Sequence, residues 1–295
     1  MSNNLLISVI IPCHQQAHFL RDAIESAFGQ DYGQLEIIVV DDGSLDGTAS
    51  VAARYADVRY VKQEHSGLSA ARNRGFRESV GDFTVFLDAD DKLLPKALST
   101  GIEALASDRE AAFASGFCEF IDTGGSLIES PPHVRLGSDP YRELFVQNHI
   151  WTPGAVVFRR QTIVDLNGFD EKFTHGCEDL DIYLRVTKER SIICHGKIVL
   201  QYRRHTGNMS KNTARMLGAM NDLFRKHIED VRSDPELFDI CRRGIQPKWY
   251  VAIMNLPVVR HPLMQRLVYA IRIRTRLRAL RSYLMRSNGY GEERA

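Results

Sequence analysis

The chain has 295 residues, 44% of them hydrophobic, with 38 Lys and Arg against 37 Asp and Glu for a formal net charge of +1. That length can bury a substantial core in one large domain plus an appendage, and the near-neutral balance gives no global attraction for nucleic acid. Five cysteines, Cys13, Cys118, Cys177, Cys194 and Cys241, show no C-x-x-C spacing, which argues against a zinc ribbon or a disulfide framework and fits a reducing, cytoplasmic setting.

The first apolar run stops at Pro12 and has no basic stretch before it, so it reads as a strand and not as a signal peptide. Apolar runs at Leu6–Ile11, Leu35–Val40, Val58–Val61 and Phe83–Leu87 alternate with amphipathic stretches at 17–29, 46–55 and 67–80, a βαβαβαβ pattern. Short continuous apolar strands joined by helices imply a parallel sheet covered on both faces, a Rossmann-like half over residues 1–110. The turn after the first strand is Pro12-Cys13-His14-Gln15-Gln16; without a G-x-G-x-x-G there, NAD binding is not expected. Strand candidates at Ala111–Asp122, Ala155–Phe158 and Ser191–Arg203, with a helix over 178–189, predict a mixed-sheet half over 111–210.

From residue 211 onward, helical spacing over 211–229 and again from 247, broken near Pro235, Pro247 and Pro257, predicts a helical appendage over 211–295. Its last part, Leu263–Ala295, holds eight arginines, no lysine and two glutamates around Val268, Ile271, Leu277, Leu280 and Leu284. Two readings stand for this stretch. One is a peripheral helix on the anionic inner face of a membrane; the other is a helix packed on its own domain or in a homodimer, with a solvated basic face. No run approaches the roughly 18 apolar residues of a membrane-spanning helix.

Chemistry is expected where strands end, because ligands of open α/β sheets sit beyond the carboxyl ends of the strands. The second strand runs into Asp41-Asp42-Gly43-Ser44 and the fourth into Asp88-Ala89-Asp90-Asp91. Taken singly, the first cluster also suits a turn or helix cap and the second an acidic helix start. Taken together on neighbouring strands, they converge as several anions that need a cation, and Asp88 and Asp90 offer hard oxygen ligands for Mg²⁺ or Mn²⁺. A metal that keeps positions open for phosphate oxygens implies a diphosphate-bearing substrate.

The ordered motifs Ser8–Thr48, His65–Gly75, Gly81-Asp82, Asp88–Asp91, Gly168-Phe169-Asp170-Glu171 and Cys177–Arg185 resemble the family 2 glycosyltransferases. The resemblance covers about residues 6–205 and implies a GT-A fold, with a nucleotide-sugar-binding half fused to an acceptor half, and inverting transfer. It implies that Pro12, Asp41 and Asp42 line the nucleotide pocket, that Arg72 stands near the diphosphate, and that Asp88 and Asp90, on either side of Ala89, form the metal-binding D-x-D pair. It further implies that Asp179, beside Glu178, is the base that takes the acceptor hydroxyl proton. The segment Arg203–Ser210 is similar to a strand-end R-x-H-x-x-x-x-S element of the family, which makes His205 a candidate third metal ligand, favouring Mn²⁺; a surface or hydrogen-bonded histidine is the other reading. Arg203 and Arg204 are candidates for neutralising the departing diphosphate. Trp151 suits a sugar-stacking platform and a core position equally.

The chain lacks the Q-x-x-R-W element and membrane spans of processive members of that family, so the expectation is addition of a single sugar from a nucleotide-sugar, a UDP-sugar first, to a glycan or lipid-linked acceptor in cell-surface polysaccharide or glycoconjugate biosynthesis. Two other classes are weighed against it. A nucleotidyltransferase would want a glycine- and cation-rich loop where Pro12–Gln16 stands, and a catalytically silent nucleotide-sugar-binding module would not need both Asp90 and Asp179.

Overall fold

The computed structural model describes residues 5–243, which divide into two compact units, residues 5–144 with 148–211 and residues 145–147 with 212–243. In the first unit the strands are β1 (Ile7–Cys13), β2 (Leu35–Asp42), β3 (Val58–Gln63), β4 (Phe83–Phe86), β5 (Lys92–Leu93), β6 (Phe113–Ile121), β7 (Leu127–Glu129), β8 (Val156–Arg159) and β9 (Ile193–Arg203). Among the described residues they form one sheet in the order β3-β2-β1-β4-β8-β6-β9-β5, with β7 paired to β6. This is a mixed α/β sheet, as the resemblance to a GT-A fold implies.

β1 is buried along its whole length and pairs in parallel with β2 and β4, and β2 pairs in parallel with β3. That is the parallel half expected from short apolar strands joined by helices. Helix α1 (Ala17–Phe28) covers it with Phe19, Leu20, Ala23, Ile24 and Ala27, one stripe at helical spacing. Helices α2 (Thr48–Ala52) and α3 (Leu68–Glu78) complete the crossovers, and α2 is shorter than the 46–55 expected. The second half is mixed: β8 runs antiparallel to β4 and β6, β9 parallel to β6, and β5 antiparallel to β9.

Helix α4 (Ala97–Ser107) was not apparent from the sequence, because it packs through the small residues Ala97 and Gly101 as well as Leu98 and Leu105. A Cβ on Gly101 would lie 2.4 Å from Val157 Cγ2, so the residue that weakens the helical pattern is what allows the helix onto the sheet. Helices α5 (Pro140–Val146), α6 (Arg160–Asp165) and α7 (Glu178–Thr187) follow, and only the last was expected. The second unit contains α8 (Thr213–Lys226), capped by the Asn212 side chain accepting from Arg215 N, with α9 (Ile228–Ser233) and α10 (Pro235–Arg243). Its core includes Met220, Leu223, Phe224 and Val231. The basic stretch 263–295 lies outside the described residues. Among those described, no helix is long and apolar enough to cross a membrane.

Candidate active site

Strand order reverses at β1, which is flanked by β2 on one side and β4 on the other, and such a switch point opens a crevice beyond the strand ends. The β1–β4 pairing stops at Ile10↔Phe86 whereas β1–β2 continues to Cys13↔Asp41. Pro12, buried, lies just past that divergence. The two acidic clusters are therefore not on neighbouring strands, as the sequence suggested; β1 stands between them. The turn after β1 makes the connection instead. Gln15 N donates to Ser44 Oγ at 3.0 Å, Ser44 N donates to Asp41 Oδ1 at 2.7 Å, and Gln16 Nε2 donates to Asp90 Oδ2 at 3.1 Å. Gln15 takes a left-handed φ of 56° to do so.

Asp41 and Asp42 are 1% and 2% exposed. Asp41 accepts from Ser44 N and, at 2.5 Å, from the Tyr60 hydroxyl, whose pKa rises through burial and this contact. Asp42 accepts from Gln63 Nε2 at 2.7 Å, Ser66 N at 2.8 Å and Gly67 N at 2.9 Å, with His65 Nδ1 2.9 Å from Oδ2. Both aspartates thus shape the turns of the crevice, the turn-forming role weighed from the sequence. Asp46, one residue before the Gly47 N-cap of α2, accepts from Thr48 N at 3.1 Å.

At the end of β4 the carboxylates divide by task. Asp88 Oδ1 accepts from Arg72 Nη2 at 2.7 Å, and Arg72 Nη1 donates at 2.8 Å to Glu178 Oε1 at the start of α7. Arg72 is 1% exposed, its Nε finds no partner among the described residues, and its guanidinium lies 5.2 Å from the centre of the Phe169 ring. The resemblance set Arg72 near the diphosphate; the structure makes it a buried bridge between two anions, its two terminal nitrogens already engaged. Burial pushes the Asp88 pKa up, opposed by Arg72. Asp91 is driven higher still by burial and by Asp90 and Asp88, while accepting from Arg203 N at 3.0 Å and Thr152 Oγ1 at 3.3 Å. Ala89 is 1% exposed and its methyl packs in the core, so only its backbone can face a ligand.

Asp179 follows Glu178 in the first turn of α7, where the helix N-terminus favours carboxylates. The chain enters that helix through Cys177 at a left-handed φ of 67°, a conformation that non-glycine residues adopt at some energetic cost. Asp179 Oδ1 accepts from Leu180 N at 2.7 Å. Burial first, then the Glu178 charge, raises its pKa from 3.8 to about 7.

Asp90 meets His205. His205 Nε2 lies 2.9 Å from Asp90 Oδ2, and both side chains are 12% exposed. Adjacent ligand atoms around an ion with bonds of about 2.1 Å stand roughly 3 Å apart, so the Asp90–His205 pair has the spacing of two ligands of one divalent cation. Asn208 holds the histidine loop, donating Nδ2 to Arg203 O at 3.0 Å and accepting from His205 N at 2.6 Å. Arg203, a candidate for the diphosphate, is 1% exposed; it donates to Asp90 O, Asp122 O, Thr123 O and Asp22 Oδ2 at 2.9, 3.2, 2.9 and 2.7 Å. Its guanidinium pins loops together and leaves Arg204, exposed and 4.9 Å from the Phe120 ring centre, as the cation that can reach solvent. Trp151 is 43% exposed, edge-on to Phe120 at 5.2 Å, and is not a core residue.

The sequence model of Glycosyl transferase family 2 matches residues 8–165, more than half of the chain. The chain belongs to that family. A glycosyltransferase of Rickettsia prowazekii (strain Madrid E), itself uncharacterized, is 30% identical over 227 residues, 74% of this chain and 70% of the relative. The uncharacterized glycosyltransferase YibD of Escherichia coli (strain K12) is 32% identical over 200 residues, 62% of this chain and 56% of its own length. Among solved structures, S. aureus TarS in complex with UDP superposes with a TM-score of 0.61 at 17% identity, over 87% of this chain and 74% of that one. Mannosyltransferase PcManGT from Pyrobaculum calidifontis, in complex with GDP-Man and Mn²⁺, gives 0.60 at 20% identity, over 91% and 80%.

Three polar residues of this family 2 glycosyltransferase's crevice escaped the sequence reading: Gln16, Thr152 and Asn208. Each touches a carboxylate of the β4 turn. Gln16 and Asn208 lie within segments already singled out, whereas Thr152 had no signal beyond its place next to Trp151.

Proposed function

We propose that this glycosyltransferase moves a single sugar, from a UDP-sugar in the first instance, onto a hydroxyl of a glycan or lipid-linked acceptor, with inversion, in cell-surface polysaccharide or glycoconjugate biosynthesis. The observation that carries the reading is the separation of two carboxylate roles: Asp90 is paired with His205, whereas Asp179 sits apart on α7 with its pKa raised to about 7. A base poised near neutral pH accepts a proton most usefully. In the transfer the acceptor oxygen bonds to the anomeric carbon, the bond from that carbon to the diphosphate oxygen breaks, and Asp179 takes the acceptor proton.

Asp90 and His205, with Asp88, would hold Mn²⁺ or Mg²⁺. Such an ion supplies charge neutralisation for the diphosphate leaving group. The chain's own residues do the rest. Arg72 fixes Asp88 and Glu178 in register, so that the β4 turn and the start of α7 keep their spacing. Asp41 and Asp42 hold the turns on the nucleotide side, Pro12 and the Ala89 backbone line the divergence between β1 and β4, and exposed Trp151 offers a face for a sugar ring. Exposed Arg204, and not buried Arg203, would meet phosphate oxygens.

Support for a nucleotide-sugar donor comes from the folds it resembles, solved with UDP, with UDP-GlcNAc and with GDP-Man and Mn²⁺. A thermal-shift screen of UDP-, GDP- and dTDP-sugars with and without Mn²⁺ tests it, because a ligand that binds only the folded state raises Tm with the logarithm of its concentration over Kd. A UDP-sugar shift that needs Mn²⁺ is expected. No shift with any donor, or release of pyrophosphate from a nucleoside triphosphate, would overturn the reading.

A further inference from the structure

Near its start, β9 departs from the ladder with β6. Ser115 of β6 pairs with Cys194 and Phe117 with Ile198, so a single residue of β6, Gly116, stands opposite His195, Gly196 and Lys197 of β9. Such a bulge re-aims the side chains it carries. It rests on Gly116, where a Cβ would lie 2.6 Å from His195 Cε1 and 2.8 Å from Lys197 O.

The chain beyond β7 comes down on this bulge. His133 stacks on Phe117, the ring planes 3° and the centroids 4.6 Å apart, with its Nε2 3.1 Å from Cys118 O. Arg135 then donates from Nη2 to His195 O at 3.4 Å. Gly196 has a φ of +71°, and a Cβ there would overlap the Arg135 guanidinium. The glycine therefore serves both the bend and the seat of the arginine, which is held by backbone and not by a carboxylate.

Arg135 and Lys197 are exposed, and among the described residues neither has a carboxylate within ion-pair distance. The half-buried His195 ring senses both: burial first, then Arg135 and Lys197, lowers its pKa to about 4. Its Nδ1 accepts from Lys197 N at 3.2 Å, which leaves the proton of the neutral ring on Nε2 as a further donor. Two cations and an imidazole N–H are thus gathered at one bulge without an acidic partner, the reverse of the carboxylate-rich turn after β4.

We propose that Arg135, His195 and Lys197 form an anion site for a phosphate monoester. Paired cations suit a group that carries about 1.5–2 negative charges at neutral pH, and guanidinium and N–H donors suit its several oxygens. Val134 and Ile198, next to the two cations in sequence, are 40% and 38% exposed, so apolar surface borders the charge. The phosphate is carried either on a lipid headgroup or on a soluble molecule. From Lys197, β9 continues for six residues, roughly 20 Å, to Arg203 at the crevice. The site is separate from the one described above and does not depend on the transferase reading.

The test compares the full chain with its Arg135→Gln and Lys197→Gln variants. One arm follows the His195 ring signals by NMR, assigned by their loss in His195→Gln, as inorganic phosphate is added at constant ionic strength. The other is flotation with vesicles of equal parts phosphatidylcholine and phosphatidic acid, against phosphatidylcholine alone. Phosphate is expected to shift the His195 signals, and each substitution to weaken that binding by about tenfold or more, the cost of a hydrogen bond to a charged group. A loss of about fivefold in vesicle binding for each cation removed assigns the phosphate to a lipid headgroup. Flotation that neither substitution changes, with the NMR response intact, assigns it to a soluble ligand. Melting curves establish that the variants fold; if one does not, the other carries the test. His195 signals that do not respond to phosphate, or that respond equally in both variants, overturn the site.

Discussion

Replacing Asp179 by Asn separates catalysis from stability in opposite directions. The amide keeps an oxygen to accept from Leu180 N, as the carboxylate does at 2.7 Å, so the start of α7 should persist. Loss of a positioned base removes about 10²–10⁴ in rate, which is roughly 3–5 kcal/mol of barrier. Stability should move the other way. Burial and Glu178 lift Asp179 from 3.8 to about 7, so its folded state binds the proton more tightly than the unfolded chain. That contribution is present in full below the unfolded value and is lost as pH rises through about 7. Its upper bound is about 4 kcal/mol, and solvent at the partly exposed carboxylate reduces this; if about 1 kcal/mol survives, Asp179→Asn gains about 2–4 °C in Tm at pH 8. The wild-type kcat/KM should rise with pH through the neutral range as the base loses its proton. Steady-state kinetics and melting curves at pH 5 and pH 8 check both sides. A rate loss under tenfold, a donor Kd that worsens in step with kcat, or a Tm lowered at pH 8 would refute the assignment.

Two further outcomes are expected. Arg72→Met leaves Asp88 and Glu178 facing each other without their shared cation, and breaking a buried ion pair in this way costs about 3–5 kcal/mol; chemical denaturation should show that loss with metal absent, which a role confined to phosphate binding would not produce. Asp90→Asn and His205→Ala should each remove the Mn²⁺ dependence of the donor-induced Tm shift, read in the same screen, while Asp179→Asn leaves it intact.

What could be read from the sequence followed from how each feature is encoded. The parallel half was legible because β1, β2 and β4 are short, mostly apolar runs whose crossover helices carry a single stripe, as in Phe19, Leu20, Ala23, Ile24 and Ala27. Its strand order was not, since nothing local to Leu35–Asp42 or Phe83–Phe86 says that β1 lies between them. Helix α4 was hidden by Gly101 and its other small residues, where the packing requirement is a missing side chain and not a present one. Carboxylate positions at strand ends were visible as motifs; which carboxylate takes which role depends on partners far away in sequence, such as Arg72 with Glu178, 106 residues apart.

The arginines show that a crevice rich in carboxylates makes its own demand for positive charge. The family resemblance put Arg72 near the diphosphate, and Arg203 was a candidate because a guanidinium binds phosphate oxygens well. Yet the crevice already holds more anions than it can leave uncompensated: Asp88, Asp90, Asp91, Glu178 and Asp179 all stand on the β4 turn or the first turn of α7. Buried carboxylates without a counter-ion would take up protons, and Asp91, without an arginine guanidinium against it, is driven that way, whereas Arg72 opposes the same pressure on Asp88. The first demand on a nearby arginine is therefore internal neutralisation. Arg72 meets it with two carboxylates, and Arg203 meets the related demand of loop carbonyls that need donors. Cations left for an incoming diphosphate must come from exposed positions such as Arg204 or from a bound metal, which is why the Asp90 and His205 pair, and not the buried arginines, is where a donor's charge should be met.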